Sequence, residues 1–78
     1  MAQQTDQKRK QDIIKAFQAT LVDFGYTSLT AEQTETATRA ALAGNVEHSV
    51  IARWIHRWLE DEFADLKPEC ERLFGKGL

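Results

Sequence analysis

Apolar residues recur at helical spacing along most of this 78-residue chain, and between Val46 and Phe63 they crowd more than one helical face. At 100° per residue, Val46, Val50, Ile51, Trp54, Ile55, Trp58, Leu59 and Phe63 fan across roughly 260° of arc. A surface helix of a monomeric bundle needs an apolar stripe only a little over about 100° wide. A helix from Val46 to about Asp65 is therefore either the central element of a small domain or the carrier of a second apolar surface for a partner.

The rest of the pattern supplies the neighbours of that helix. Met1 to about Thr5 is polar and reads as a disordered tail. A first helix follows to about Phe24, with Ile13, Ile14, Phe17, Leu21 and Phe24 on its apolar stripe. Gly25 is placed to end it in a left-handed turn, with Tyr26 folding back on Leu21. Thr30 and Gln33 make a capping box at the start of a second helix, about Ala31 to Ala43. Leu42 is its one large apolar residue. Thr34, Ala37, Thr38 and Ala41 instead form a face of small residues that could receive the tryptophans of the next helix. Gly44 stops this helix and Asn45 is placed to cap the third.

Toward the end of the third helix, Glu60, Asp61, Glu62 and Asp65 oppose the helix dipole by a few tenths of a kcal/mol each, roughly. That local conflict points to a break or to a neighbour supplying positive charge. Pro68 suits the first turn of a short fourth helix ending at Phe74, with Leu66, Cys70, Leu73 and Phe74 on its apolar side. Residues 75–78 form a loose end. No strand-like alternation or internal repeat is present. The expected fold is all-α: a compact bundle of three main helices with a short fourth C-terminal helix, as one domain over residues 6–74.

Composition narrows the function classes. At 42% hydrophobic and 28% charged the chain has the make-up of a folded domain rather than a disordered one. A core this small supplies only a few kcal/mol unless something reinforces it, and the single cysteine excludes an intrachain disulfide. Buried aromatics and self-association are the remaining means of support. A net charge of -2 gives no overall pull toward nucleic acid or anionic membrane, although Lys8, Arg9, Lys10 and Lys15 make the first helix basic. The first residues are polar, so no leader is expected, and no apolar run is long enough to span a membrane. One free thiol suits a reducing compartment, and the cytoplasm is the expected location.

No catalytic, cofactor or metal signature emerges. His48 and His56, eight residues apart on one helix, are separated by about 80° and about 12 Å, too far to share a metal. Cys70 stands between Glu69 and Glu71, whose charges disfavour a thiolate, and its place on an apolar stripe makes it a core residue. The 60–65 carboxylates lack the spacing and glycine of a calcium loop, and Gly75-Lys76-Gly77 lacks the strand and helix of a phosphate loop. No active site, cofactor or small-molecule substrate is assigned.

Two binding functions remain. In the first, the protein is a non-enzymatic protein–protein interaction module whose partner is another protein or a second copy of itself. Trp54, Trp58, Ile51 and Ile55 form the structural centre, and Ile55, Leu59, Phe63 and Phe74 the apolar contact surface. In the second, it binds DNA. The segment Gly44 to Ile55 resembles the turn and second helix of a helix-turn-helix, with Val46, Ile51 and Trp54 in the anchoring positions. That resemblance implies a reading face of Ser49, Arg53, His56 and Arg57, with Arg39 and the Lys8–Lys10 run on phosphates. Asn45 lengthens the turn, and Glu47 and Glu60 lie on or beside the reading face. The opening RKQDIIKAFQATLVDFGYTSLT also resembles the start of TetR-type repressors, a spacing not kept after Thr30. The interaction module is the primary expectation and the DNA-binding regulator its alternative.

Overall fold

Among the described residues four α-helices form, and the second keeps the cap and stop that its sequence places. The computed structural model describes residues 2–27 and 29–75, with side chains from Thr5 onward. Helix α1 spans Ala2–Asp23, α2 Ala31–Leu42, α3 Val50–Trp58 and α4 Lys67–Phe74, with a short 3-10 turn over Ala64–Leu66. The fold is an all-α bundle with a fourth C-terminal helix, as the pattern predicts. Its radius of gyration of 11.6 Å matches the roughly 11.5 Å of a compact chain of this length. Helix α1 begins at Ala2, inside the stretch expected to be a tail. Beyond Gly75, the expected loose end lies outside the described residues.

Both predicted glycine stops are present, and they share one geometry. After α1, the Tyr26 N–H donates to the Leu21 carbonyl and the Gly25 N–H to that of Val22, at 3.0 and 2.9 Å. After α2, Asn45 donates to Ala40 and Gly44 to Ala41, at 2.9 and 3.0 Å. These are paired Schellman bonds, which need a left-handed residue, and Gly25 and Gly44 supply it with φ of 96° and 78°. At the other end of α2, the capping box forms as predicted. The Gln33 N–H donates to Thr30 Oγ1 and the Thr30 N–H to Gln33 Oε1, both at 3.0 Å.

The third helix differs from expectation at both ends. Asn45 is engaged in closing α2, so it does not cap α3. Ser49 does so, accepting from the Ala52 N–H at 3.0 Å. The helix then ends at Trp58, within the stretch expected to continue to about Asp65. His56 and Arg57 occupy its last turn, where cations are favoured, and the carboxylates fall outside it. The Trp58 carbonyl accepts both Asp61 and Phe63 N–H groups, at 3.1 and 2.6 Å, and turns the chain back on itself. The predicted conflict with the dipole is thus resolved by a break.

The core reverses another expectation. Helix α2, and not α3, is the central element: it packs on α1, α3 and α4. Thr34, Ala37, Thr38, Ala40 and Ala41 are all buried. Each threonine hydroxyl is satisfied within the helix, Thr34 Oγ1 donating to the Thr30 carbonyl at 3.0 Å and Thr38 Oγ1 to that of Thr34 at 2.8 Å. The faces toward the neighbours are therefore methyl groups. Around them close Ile13, Ile14, Phe17 and Leu21 of α1, Ile55 and Trp58 of α3, Leu59, and Cys70 and Phe74 of α4.

Ion pairs tie α1 to its neighbours. Arg9 grips Glu69 of α4 through Nε and Nη2, both at 2.8 Å. Arg72 of α4 returns to Asp6 at 3.1 Å. Lys10 pairs with Glu35 of α2 at 2.8 Å and lies 5.4 Å from the centre of the Phe74 ring. The hydrogen bonds from Arg9 hold the Glu69 carboxyl below its usual range, with the charges of Arg9 and Arg72 adding to that effect.

Two predictions follow from this packing. Replacing Ala40, fully buried in the last turn of α2, by leucine overfills the space between helices and lowers stability by about 1–3 kcal/mol, read as an earlier midpoint in urea. Glu69, with a folded pKa below its unfolded one, adds stability above the unfolded value and loses it as pH falls through the folded one. Glu69→Gln is therefore less resistant to urea than the parent at neutral pH, and the difference shrinks as pH falls below the usual carboxylate range.

Candidate functional site

The expected apolar contact surface is mostly interior. Ile55 is fully buried, and Leu59 and Phe74 are 2% and 3% exposed. Phe63 is half-buried, packed edge-on to Phe17 with ring centres 5.3 Å apart and to Trp58 at 6.2 Å. These four residues do not form a free surface. They fill the core because the chain doubles back after Trp58 and returns Leu59 and Phe63 to the bundle. Of the expected structural centre, Ile55 and Trp58 are buried, whereas Ile51 and Trp54 lie half-buried at its edge.

A different apolar surface is exposed. Phe24 lies just past the end of α1, 52% exposed, and stacks on the Trp54 ring at 4.8 Å between centres with the planes 25° apart. The stack continues to Trp58 at 5.9 Å, and Trp58 touches Phe17 at 6.3 Å in the core. Val50, one turn before Trp54 on α3, is 53% exposed. An aromatic ladder therefore runs from the interior to the surface and ends in an open platform of Phe24, Trp54 and Val50. The wheel of α1 assigns Phe24 to the core stripe, but that periodicity does not extend past the helix end. The usable signal is its position immediately before the Gly25 stop.

The residues proposed to read DNA are placed in several ways. Ser49 is committed to capping α3. His56 is half-buried, its Nδ1–H donating to the Ala41 carbonyl at 3.2 Å and its Nε2 lying 3.3 Å from Glu60. It braces α3 against the end of α2. Arg39 lies 3.7 Å from Glu35, with its Nε buried and lacking an acceptor among the described residues. Lys8, Arg9 and Lys10 pair with Asp12, Glu69 and Glu35 respectively. Arg53 and Arg57 alone of this set are exposed with no ion pair among the described residues. Seven residues, 43–49, connect α2 to α3, where a helix-turn-helix uses about 3–4. The likeness to that motif does not extend to its turn.

Two hollows stand out among the described residues. One, of about 190 Å³, lies between Leu42, Gly44, His56, Leu59, Glu60 and Lys67, smaller than the roughly 300 Å³ at which ligand pockets begin. The other, of about 320 Å³, is a shallow recess of Gly25, Tyr26, Thr27, Leu29 and Gln33, with no carboxylate, amine or imidazole in its lining. Among the described residues no group of three His, Cys, Asp or Glu side chains could hold a metal ion, and no helix is long and apolar enough to cross a membrane. Cys70 is fully buried, and burial, with the charges of Glu69 and Glu71 adding, pushes its thiol pKa up to about 11.

That burial sets a direct test. Because thiolate is the reacting form, Cys70 stays unmodified by a disulfide reagent at about pH 8 in the folded protein and reacts promptly in urea, as followed by mass spectrometry. Comparison of the chain with protein-family models, with curated proteins and with solved structures finds no match in any of the three.

Proposed function

We propose that this protein is a small, non-enzymatic interaction module that docks another protein on the platform of Phe24, Trp54 and Val50. One observation carries the reading: the exposed Phe24 ring, stacked on half-buried Trp54, and the exposed Val50 face solvent beside a core that has internal partners for its other large aromatics. Phe17, Phe63, Trp58 and Phe74 are covered within the bundle, yet Phe24 is half exposed. Aromatic side chains dominate contact energies where an interface excludes water around them. Trp54 and Phe24 are also pre-ordered by stacking, which lowers the entropy lost on docking. An enzymatic role has less support: the hollow that gathers His56, Glu60 and Lys67 holds only about 190 Å³, below the roughly 300 Å³ of ligand pockets. Both ring nitrogens of His56 already face partners, the Ala41 carbonyl and Glu60. With its thiol buried and unpaired, the chain suits the reducing conditions of the cytoplasm, its proposed location.

Val50→Glu tests this at a position where a carboxylate meets solvent and leaves the fold intact. Proteins retained from a lysate of the protein's own cells by the immobilised parent are lost with Val50→Glu, while the two unfold at the same temperature. An unchanged set of retained proteins overturns the reading. Sedimentation of the free protein reports separately whether a second copy occupies the platform.

A further inference from the structure

The charges around the platform specify the chemistry of its partner. On the α3 wheel, Arg53, Arg57, Val50 and Trp54 follow one another across about 100° of arc; the first three are exposed, and Trp54 lies at the edge where this face meets the core. Both guanidiniums are exposed. The chain has five arginines. Arg9 and Arg72 are paired with α4 and α1 carboxylates, and Arg39 faces Glu35. Arg53 and Arg57 have no ion pair among the described residues, and the acidic turn that follows α3 does not reach them. The two unpaired arginines therefore share one face of one helix with the open aromatic platform.

We infer that the partner is an acidic, amphipathic protein segment: an aromatic or branched apolar side chain covers Phe24 and Trp54 while two flanking carboxylates meet Arg53 and Arg57. The inference rests on the reading of the platform as a docking surface. Along the α3 axis the guanidinium positions are about 6 Å apart, four residues at about 1.5 Å each. Carboxylates at i and i+4 of a partner helix, or at i and i+2 of a strand, match that separation. Arginine suits the task because its planar fork accepts a carboxylate in two parallel hydrogen bonds.

A second copy of this chain fits less well. In a two-fold dimer a surface meets itself, so the stripe would set the four guanidiniums of two copies against one another. The exposed carboxylates Asp61, Glu62 and Asp65 carry the right charge, but the apolar residues beside them, Leu59, Phe63 and Leu66, are already packed on the core. They offer nothing to cover the rings. Nucleic acid also combines negative charge with groups that stack on aromatics. Against it, the first-helix cations that would track a phosphate backbone pair with Asp12, Glu69 and Glu35.

The test selects from random displayed peptides of about 15 residues, long enough to span α3 as helix or strand, on the full-length protein. Selected peptides are then synthesised with a fluorophore and titrated by anisotropy. The expected winners carry two or more Asp or Glu around an aromatic or branched residue. Their affinity falls at least about tenfold for Arg53→Glu with Arg57→Glu and weakens with added salt. Both substitutions are at exposed positions, and circular dichroism verifies the fold. Neutral or basic winners that Val50→Glu abolishes overturn the acidic partner and leave the docking surface standing. Peptides indifferent to Val50→Glu and to both charge reversals, or no winners at all, overturn both. An oligo-dT strand that binds through Arg53 and Arg57 more tightly than any selected peptide overturns the inference in favour of nucleic acid. Sedimentation showing a dimer that is broken by Val50→Glu overturns it in favour of a second copy.

Discussion

The close approach permitted by α2 is the constraint on which the rest of the bundle depends. A helix contributes to a core either by inserting large side chains or by presenting a surface thin enough for neighbours to insert theirs. Helix α2 takes the second course, with alanine and threonine at every buried position. Its threonines bond to their own helix, so they act as methyl-bearing spacers with no polar demand on the neighbours. Three helices can then deliver Phe17, Trp58, Ile55 and Phe74 onto one slender axis. In a chain of this size, that arrangement gives one contiguous core where bulky side chains on all four helices would have held the axes apart.

Charge is arranged around this core in two zones. Along α1 and α4 it is consumed internally: Arg9, Glu69, Arg72, Asp6, Lys10 and Glu35 form ties between helices. Around α3 it is left open, with Arg53 and Arg57 exposed on one side and the carboxylates of the following turn beyond its end. Net charge alone conceals this division. Pairing engages Lys8, Arg9 and Lys10 of the first helix and leaves Lys15 exposed, while the Phe24–Trp54 stack and the open guanidiniums of Arg53 and Arg57 fall on the same side of the molecule.

The parts of the fold legible in the sequence are those set by local chemistry. The Thr30–Gln33 box, the Gly25 and Gly44 stops, the small-residue face of α2 and the placement of Pro68 near the start of α4 all depend on residues within one turn of each other. The departures from the pattern lie at helix ends. The arc of roughly 260° assigned to one long helix adds angles from Val46 and from Leu59 to Phe63, none of which belongs to α3. With the chain turning after Trp58, part of the surplus apolar surface folds inward, and Ile55, Leu59 and Phe74 become core. Phe24 errs in the opposite sense, assigned to a stripe that stops one residue before it. Which end of an apolar run turns inward is decided by contacts distant in sequence, and a wheel carries no information about those.

The composition of α2 has a further meaning in terms of disorder. Folding restricts rotamers most severely where packing is tightest, and long side chains lose up to about 2 kcal/mol each when fixed there. Alanine has no rotamer to lose, and threonine is already held by its branched β-carbon. The most crowded part of this protein is therefore lined by residues with almost nothing to freeze. Ordering of the centre draws chiefly on the backbone of α2, whose ends are already set by a capping box and a glycine stop.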